Sequence, residues 1–176
     1  MPTSKRTQTF TESVIRSMTR LATEHNAINL AQGFPNFPAP DILKEAAAAA
    51  IRADINQYAI TWGSKRLRDA LVRKYHDWYG MTVNPETELT VTCGATEAMA
   101  AVLLAIVNPG EEVIVLEPFY ENYGPDAILC DAKPVFFPLL PGQPLDLDRL
   151  ATVFSSRTRA IIINTPANPS GRVLTR

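Results

Sequence analysis

The sequence lacks most of the features that point directly to a class of partner. Its 17 basic and 18 acidic residues leave a net charge of -1, so no surplus of charge attracts nucleic acid or an anionic membrane surface. Its cysteines, Cys93 and Cys130, are too few for a disulfide framework and have no metal-ligand spacing. No segment resembles an export signal or a membrane-spanning run. We therefore expect a cytoplasmic protein with reduced thiols and with no nucleic-acid, membrane or metal partner.

What the chain does have is an ordinary globular composition arranged as alternating strands and helices. With 46% hydrophobic residues in 176, it can form one core or a piece of a larger domain. Short apolar runs that predict buried strands alternate with helical patterns: TVT, VIVL and AIII. Fully apolar strands of this kind are typical of a parallel sheet with helices on both faces. The predicted fold class is therefore α/β.

An irregular arm and two helices precede those strands. Residues 1 to about 40 form the arm, in which prolines interrupt regular structure apart from a short amphipathic stretch around Val14. The stretch 41–54 begins with Asp41, a suitable N-cap, and continues in strong helix formers. Apolar residues at three- and four-residue spacing predict a further helix that ends at Gly80.

Three loops follow the predicted strands, at the edge where open parallel sheets bind ligands. The first, CGAT, places Gly94, Ala95 and Thr96 at the start of a helix. Backbone N–H groups and the helix dipole favour an anion such as phosphate there. A plain tight turn is the alternative, because neither G-x-G-x-x-G nor the P-loop lysine is present.

The other two loops, EPFYENY and NTPANPSG, supply aromatic rings and neutral amides. Phe119, Tyr120 or Tyr123 can lie against a planar ligand, although such residues more often belong to a core. Asn164 and Asn168 can orient a polar group, although Asn, Pro, Ser and Gly also favour surface turns. Together the three loops suit an aromatic, phosphorylated cofactor.

With these loops placed, the sequence resembles the N-terminal part of class I/II aminotransferases, pyridoxal-phosphate enzymes of fold type I. Within them it is most similar to the branch that contains kynurenine–oxoglutarate and methionine aminotransferases. The matching stretches, in the family's order and spacing, are NLAQGFPNFPAPD, NQYAITWGSKRLRDAL, TVTCGATEAM, VIVLEPFYENY and NTPANPSG. The resemblance implies transfer of an amino group between an amino acid and a 2-oxo acid, with a C–S lyase as the alternative within the family.

The resemblance also implies a domain division and a set of cofactor contacts. An arm and small-domain segment would span residues 1–45, and an incomplete fold type I large domain would span residues 46–176. The Gly94 and Ala95 backbone, with Thr96, would hold the phosphate group of pyridoxal phosphate. Tyr120 would stack on the pyridine ring, and Phe119 is the second choice for that role.

Further residues match positions that the family uses for the substrate and for the partner subunit. Tyr58 matches a tyrosine that reaches the phosphate of the neighbouring subunit, which implies a homodimer in the full-length form. Gly33 matches the glycine that meets the substrate carboxylate. Asn168 matches the asparagine that reaches the cofactor ring oxygen and the carboxylate side of the substrate, with Asn164 as its secondary partner. The family's cis prolines make Pro118 and Pro169 candidates for the same geometry.

The family also requires a lysine that attaches the cofactor, and the resemblance places that lysine beyond the equivalent of Arg176. None of the lysines of this chain has a matching context: Lys5, Lys44, Lys65, Lys74 and Lys133. We therefore assign no catalytic residue here and expect the chain alone to be inactive. Two other functions stay open. One is a non-catalytic homologue that binds pyridoxal phosphate weakly or pairs with a full-length partner, and the other is a general nucleotide- or sugar-phosphate-binding protein.

Overall fold

The computed structural model describes residues 3–8 and 10–175, which form two compact units. One unit combines Met1–Ser13 with Cys93–Arg176, and the other is Val14–Thr92. In the described ranges, no helix combines the length and the apolar character needed to cross a membrane.

The unit Val14–Thr92 is helical, with α1 (Val14–Glu24), α2 (Asp41–Arg52) and α3 (Lys65–Tyr79). The end of α3 at Gly80 is confirmed, because this residue takes the left-handed conformation, φ 64°, that favours glycine. The start of α2 differs by one residue. Pro40 holds the N-cap, and Asp41 is the first helical residue, with its carboxylate 2.6 Å from Lys44 Nζ. Position 40 can serve as the cap because its backbone, φ -53° and ψ 137°, is extended.

The predicted strand TVT, residues 90–92, does not form in this unit. The Val91 N–H donates instead to the Trp62 carbonyl at 3.1 Å. The Val91 side chain packs so closely on Gly63 that a Cβ added there would lie 2.7 Å from it. A strand needs a ladder of backbone partners, and Val91 has a loop beside it rather than a strand. The prediction of a strand here was therefore wrong.

The second unit contains the sheet. After a short 3-10 helix, Lys5–Thr7, its elements are α4 (Gly94–Ile106), β1 (Glu112–Glu117), α5 (Tyr123–Leu129), β2 (Lys133–Pro138), α6 (Leu147–Ala151) and β3 (Thr158–Ile162). The strand order is β2-β1-β3 and both pairings are parallel. Ile114 of β1 lies opposite Val135 of β2 and Ile161 of β3. The predictions of strands at VIVL and AIII are confirmed.

Both faces of the sheet are covered, as the apolar strands predicted. Alternate residues of β1 point to opposite faces. Val113 and Val115 join a core with residues of α4 and α5, including Leu103 and Ala127. Ile114 and Leu116, on the other face, join a second core with Phe137 of β2, Leu139 just after β2, and Leu150 of α6. The central strand is therefore buried on both sides, and its carboxyl end leads into the loop that carries Phe119 and Tyr120.

Candidate cofactor site

The carboxyl ends of β1 and β3 bring two of the three predicted loops together. A recess there is lined by residues of both loops, with Pro118, Phe119 and Tyr123 from EPFYENY and Asn164 and Asn168 from NTPANPSG. Parallel strands end at the same edge, which is why loops distant in sequence meet. The remaining loop, CGAT, is linked to the EPFYENY loop by a hydrogen bond from Asn122 Nδ2 to Thr96 Oγ1 at 3.0 Å.

The start of α4 has the form of an anion cradle. Gly94 is the first helical residue, with φ 82°, and a Cβ added there would meet no atom within 4 Å. Glycine therefore supplies the left-handed backbone and leaves open space above it. In the first turn of a helix the backbone N–H groups have no carbonyl partner within the helix, and the dipole favours negative charge. Ala95 and Thr96 lie in this turn, so the residues present fit a phosphate group.

A carboxylate also approaches this helix start. Glu97, in the first turn of α4, accepts a hydrogen bond from the Cys93 backbone N–H. This contact ties the turn that precedes Gly94 to the helix that follows it. Glu97 was not predicted from the sequence as part of the site; an acidic residue in the first turn of a helix is the signal that identifies it.

The two predicted stacking rings have different surroundings. Phe119 lies parallel to Phe136, with 5.3 Å between ring centroids and 5° between planes. One of its faces is therefore occupied by protein. Tyr120 meets Tyr123 edge to face, with centroids 5.9 Å apart and planes at 75°. Burial, with a smaller effect of Tyr120, raises the pKa of Tyr123. Phe119 also lines the recess, so the stacking role of Tyr120, with Phe119 as the second choice, stays a prediction.

The loop after β3 is organised by Asn164. Its side-chain Oδ1 accepts the Asn168 backbone N–H at 2.9 Å, and the Ala167 N–H donates to the Arg172 carbonyl at 2.8 Å. In the described part of the chain, the side-chain amide of Asn168 itself has no partner. Asn164 therefore shapes the loop. The side-chain N–H groups and oxygen of Asn168 are available to a ligand.

Three X-Pro bonds of these loops are cis. Glu117-Pro118 and Asn168-Pro169 are the two that the resemblance implied, and both are confirmed. Thr165-Pro166 is a third, which was not predicted.

Tyr58 and Gly33 belong to the other compact unit, Val14–Thr92. The Tyr58 side chain is fully exposed, and a Cβ added at Gly33 would meet nothing within 4 Å. Their roles toward the partner subunit and the substrate stay predictions.

Comparison with known proteins identifies the family. The family model "Aminotransferase class I and II" matches residues 25–176. The chain belongs to this family. It is 43% identical, over 98% of its length, to the probable N-succinyldiaminopimelate aminotransferase of Mycobacterium tuberculosis, and 40% identical, over 98%, to the methionine aminotransferase of Escherichia coli. It spans 44% and 45% of those relatives, so less than half of each has a counterpart here.

The fold of this aminotransferase chain matches that of solved family members. The structure of N-succinyldiaminopimelate aminotransferase from Mycobacterium tuberculosis superposes with a TM-score of 0.94 at 42% identity, over 99% of this chain and 46% of the other. The fold is therefore part of a fold type I large domain, as predicted. The finer prediction, a kynurenine or methionine type, is not distinguished by the comparisons, because the similarity to the N-succinyldiaminopimelate enzyme is at least as high.

Proposed function

We propose that this chain supplies the phosphate, ring and carboxylate contacts of a pyridoxal-phosphate-dependent aminotransferase, which moves an amino group between an amino acid and a 2-oxo acid. The observation that carries the proposal is the convergence at one sheet edge. The open space at the start of α4, the half-buried ring of Tyr120 and the side-chain amide of Asn168, unpartnered among the described residues, belong to connected loops. A protein that binds phosphate groups in general would need only the start of α4, and neither the ring nor the amide.

Each residue has a definite task in this proposal. The Gly94 and Ala95 backbone and the Thr96 hydroxyl hold the phosphate, which fixes one end of the cofactor. Tyr120 lies against the ring and keeps water from that face. Asn168 orients the ring oxygen and the carboxylate side of the substrate, supported by Asn164. When bound, pyridoxal phosphate supplies the reactive carbonyl and the electron sink.

The working unit that we propose is a homodimer. Tyr58 would reach the phosphate held by the partner subunit, and Gly33 would meet the substrate carboxylate through its backbone. What supports Tyr58 is its match to the family's NQYAITWG stretch and its complete exposure, which leaves its hydroxyl accessible to a second subunit.

We propose that this chain is inactive by itself, because its sheet-bearing unit offers no lysine near the cradle. Lys133 begins β2, at the amino end of the sheet, where its Nζ lies 3.8 Å from Glu112 Oε1. Lys5 lies in the short 3-10 helix, where the neighbouring Arg6 donates to Asp131, just beyond the C-terminal end of α5 and opposite to the end that carries Asn122. Incubation with pyridoxal phosphate followed by borohydride and mass analysis should find no uniquely labelled lysine. A single labelled lysine with transaminase turnover would contradict the proposal.

The substrate that we favour is an amino acid of the kynurenine, methionine or aromatic kind, as the sequence resemblance suggested. An N-succinylated diamino acid is the second candidate, since the Mycobacterium tuberculosis relative carries that name. A C–S lyase is the third. Assays of the full-length enzyme with kynurenine, methionine, N-succinyldiaminopimelate and cystathionine would distinguish them, and pyruvate release from cystathionine would identify the lyase.

Equilibrium dialysis tests the cofactor itself. Pyridoxine phosphate has no aldehyde and cannot react with surface lysines, so its binding reports only the non-covalent cradle. We expect the chain to bind it more tightly than pyridoxine, adenosine monophosphate or glucose 6-phosphate. Equal binding of the nucleotide or sugar phosphate would instead support a general phosphate-binding protein. Binding without turnover in the full-length enzyme would support the non-catalytic homologue.

A further inference from the structure

The hydrogen bond between Asn122 and Thr96 joins two strand-end loops that are separate in sequence. Asn122 Nδ2 donates to Thr96 Oγ1 at 3.0 Å across a separation of 26 residues. Thr96 lies in the first turn of α4, and Asn122 directly precedes α5. Neither residue's own helix requires this contact.

The local geometry of Asn122 shows that its side chain is committed to Thr96. Asn122 is the N-cap of α5, and its carbonyl accepts the Asp126 N–H at 2.8 Å. An asparagine at this position ordinarily accepts an N–H of its own helix through the side chain. Here the side chain makes no such capping bond. The contact with Thr96 is therefore not a consequence of capping.

The direction of the hydrogen bond determines what Thr96 can do next. A hydroxyl has one proton and two lone pairs. When an amide N–H donates to the Thr96 oxygen, the hydroxyl proton is free to point elsewhere. A phosphate ester near neutral pH offers acceptor oxygens, so it needs that proton as a donor. A carboxylate at position 122 would accept the proton and leave Thr96 with lone pairs facing the phosphate.

We infer that Asn122 is a positioning residue that directs the Thr96 hydroxyl proton toward an anion in the α4 cradle. The inference rests on the proposed binding of the cofactor phosphate and adds a residue that does not touch the phosphate itself. Asparagine suits this role because its amide donates without adding charge beside the anion. Thr96 then presents a donor on the same side as the backbone N–H groups of the first turn.

The test compares pyridoxine phosphate with pyridoxine, and uses the ratio of their affinities as the measure of phosphate recognition. Asn122→Asp keeps a hydrogen bond to Thr96 but reverses its direction, and we expect the ratio to fall about tenfold or more. Asn122→Ala leaves the hydroxyl unconstrained and should lower the ratio about threefold. Thr96→Ala removes the hydroxyl and should lower it to a similar or greater extent. A thermal melt of each variant checks that it is folded.

The added charge of Asn122→Asp acts on the phosphate even without Thr96, so the double variant supplies the control. In the Thr96→Ala background, we expect the effect of Asn122→Asp on the affinity ratio to shrink at least about threefold, because coupled residues are not additive. An undiminished effect would mean that charge alone acts, and would overturn the inference. So would an Asn122→Ala variant with an unchanged ratio. If the unaltered chain shows no preference for the phosphate ester, the cofactor proposal fails, and this inference fails with it.

Discussion

At the amino end of the sheet the polar groups are paired with one another, whereas at the carboxyl end the side-chain amide of Asn168 has no partner among the described residues. Glu112 begins β1, is buried, and accepts hydrogen bonds from Ser155 Oγ at 2.6 Å and Arg157 Nη2 at 2.7 Å. The hydrogen bond from Ser155, followed by that from Arg157, lowers the pKa of Glu112. The buried carboxylate at this end of the sheet therefore has its hydrogen-bond partners within the protein.

The carboxyl end has a different arrangement. Its hydrogen bonds shape the loops, as Asn164 does for Asn168 and Asn122 does for Thr96. Among the residues that the structure describes, the side-chain amide of Asn168 has no protein partner, and the space above Gly94 at the start of α4 is open. The same three strands therefore carry an end that stabilises the fold and, in our proposal, an end that binds the cofactor. Variants at the two ends should therefore separate the free energy of unfolding from ligand affinity.

The largest effect is expected from the middle of β1, which both ends share. Ile114 is fully buried on the central strand, and Ile114→Ala should lower the free energy of unfolding by about 3 kcal/mol, through lost burial and the cavity left behind. Denaturant unfolding measures this. Leu147→Ala, at an exposed site on α6, is the matched control, with an expected change within about 0.5 kcal/mol. Equal losses would show that β1 is not the centre of a folded core.

The next largest effect should come from the amino end and leave ligand binding unchanged. Glu112→Gln removes the charge that Arg157 and Lys133 face, so the melting temperature should fall while the affinity for pyridoxine phosphate stays the same. Because the folded-state pKa of Glu112 is lowered, its contribution to stability is present above the unfolded pKa of about 4.3 and is lost as pH falls through the folded value. The destabilisation by Glu112→Gln should therefore shrink in acid.

Glu45→Gln, on the exposed surface of α2, is the control for loss of a carboxylate alone, and its melting temperature should be unchanged. A fall in ligand affinity with Glu112→Gln would contradict the separation of the two ends.

The opposite pattern is expected at the carboxyl end. Asn168→Ala removes a neutral amide from the site, so the affinity for pyridoxine phosphate should fall about three- to tenfold, as for one or two neutral hydrogen bonds. The melting temperature of the free chain should be unchanged, since the side-chain amide has no partner in the described residues. Ser170→Ala in the same loop should leave the affinity as it is. A large loss of stability with no loss of affinity would assign Asn168 to the fold instead.

These two ends also differ in how far the sequence predicts them. The strands VIVL and AIII, the loops after them and the ligand-facing residues are continuous stretches whose residue types suit one structure. Glu112 and Arg157 meet across 45 residues, and Asn122 and Thr96 across 26. No local pattern reveals such pairs, because they form only when the strands are side by side.

The wrong prediction of a strand at TVT also follows from the dependence on residues that are distant in sequence. Its β-branched residues suit a strand, but strand formation depends on a partner that local sequence does not contain. In the structure, Val91 finds the Trp62 carbonyl and the Gly63 backbone instead. Propensity alone therefore could not predict whether this stretch pairs as a strand.

The smallest effect should come from a buried carboxylate that neither end uses. Asp126, in α5, is 6% exposed, and within the described chain its Oδ2 has no hydrogen-bond partner. Burial raises its pKa, so its contribution to stability is greatest below the unfolded pKa of about 3.9 and is lost as pH rises through the folded value. Asp126→Asn avoids the cost of burying the charge and should raise the melting temperature by about 2 °C near neutral pH.

The gain in melting temperature from Asp126→Asn should fall toward zero near pH 4. For Glu112→Gln it is instead a loss of melting temperature that shrinks in acid. Asp148→Asn, on the exposed surface of α6, is the control and should show no such gain. Since Asp126 lies one helical turn from Asn122, the affinity for pyridoxine phosphate is measured alongside the melting temperature. An unchanged affinity would place Asp126 outside the binding end, whereas a change in affinity would extend that end into the first turns of α5.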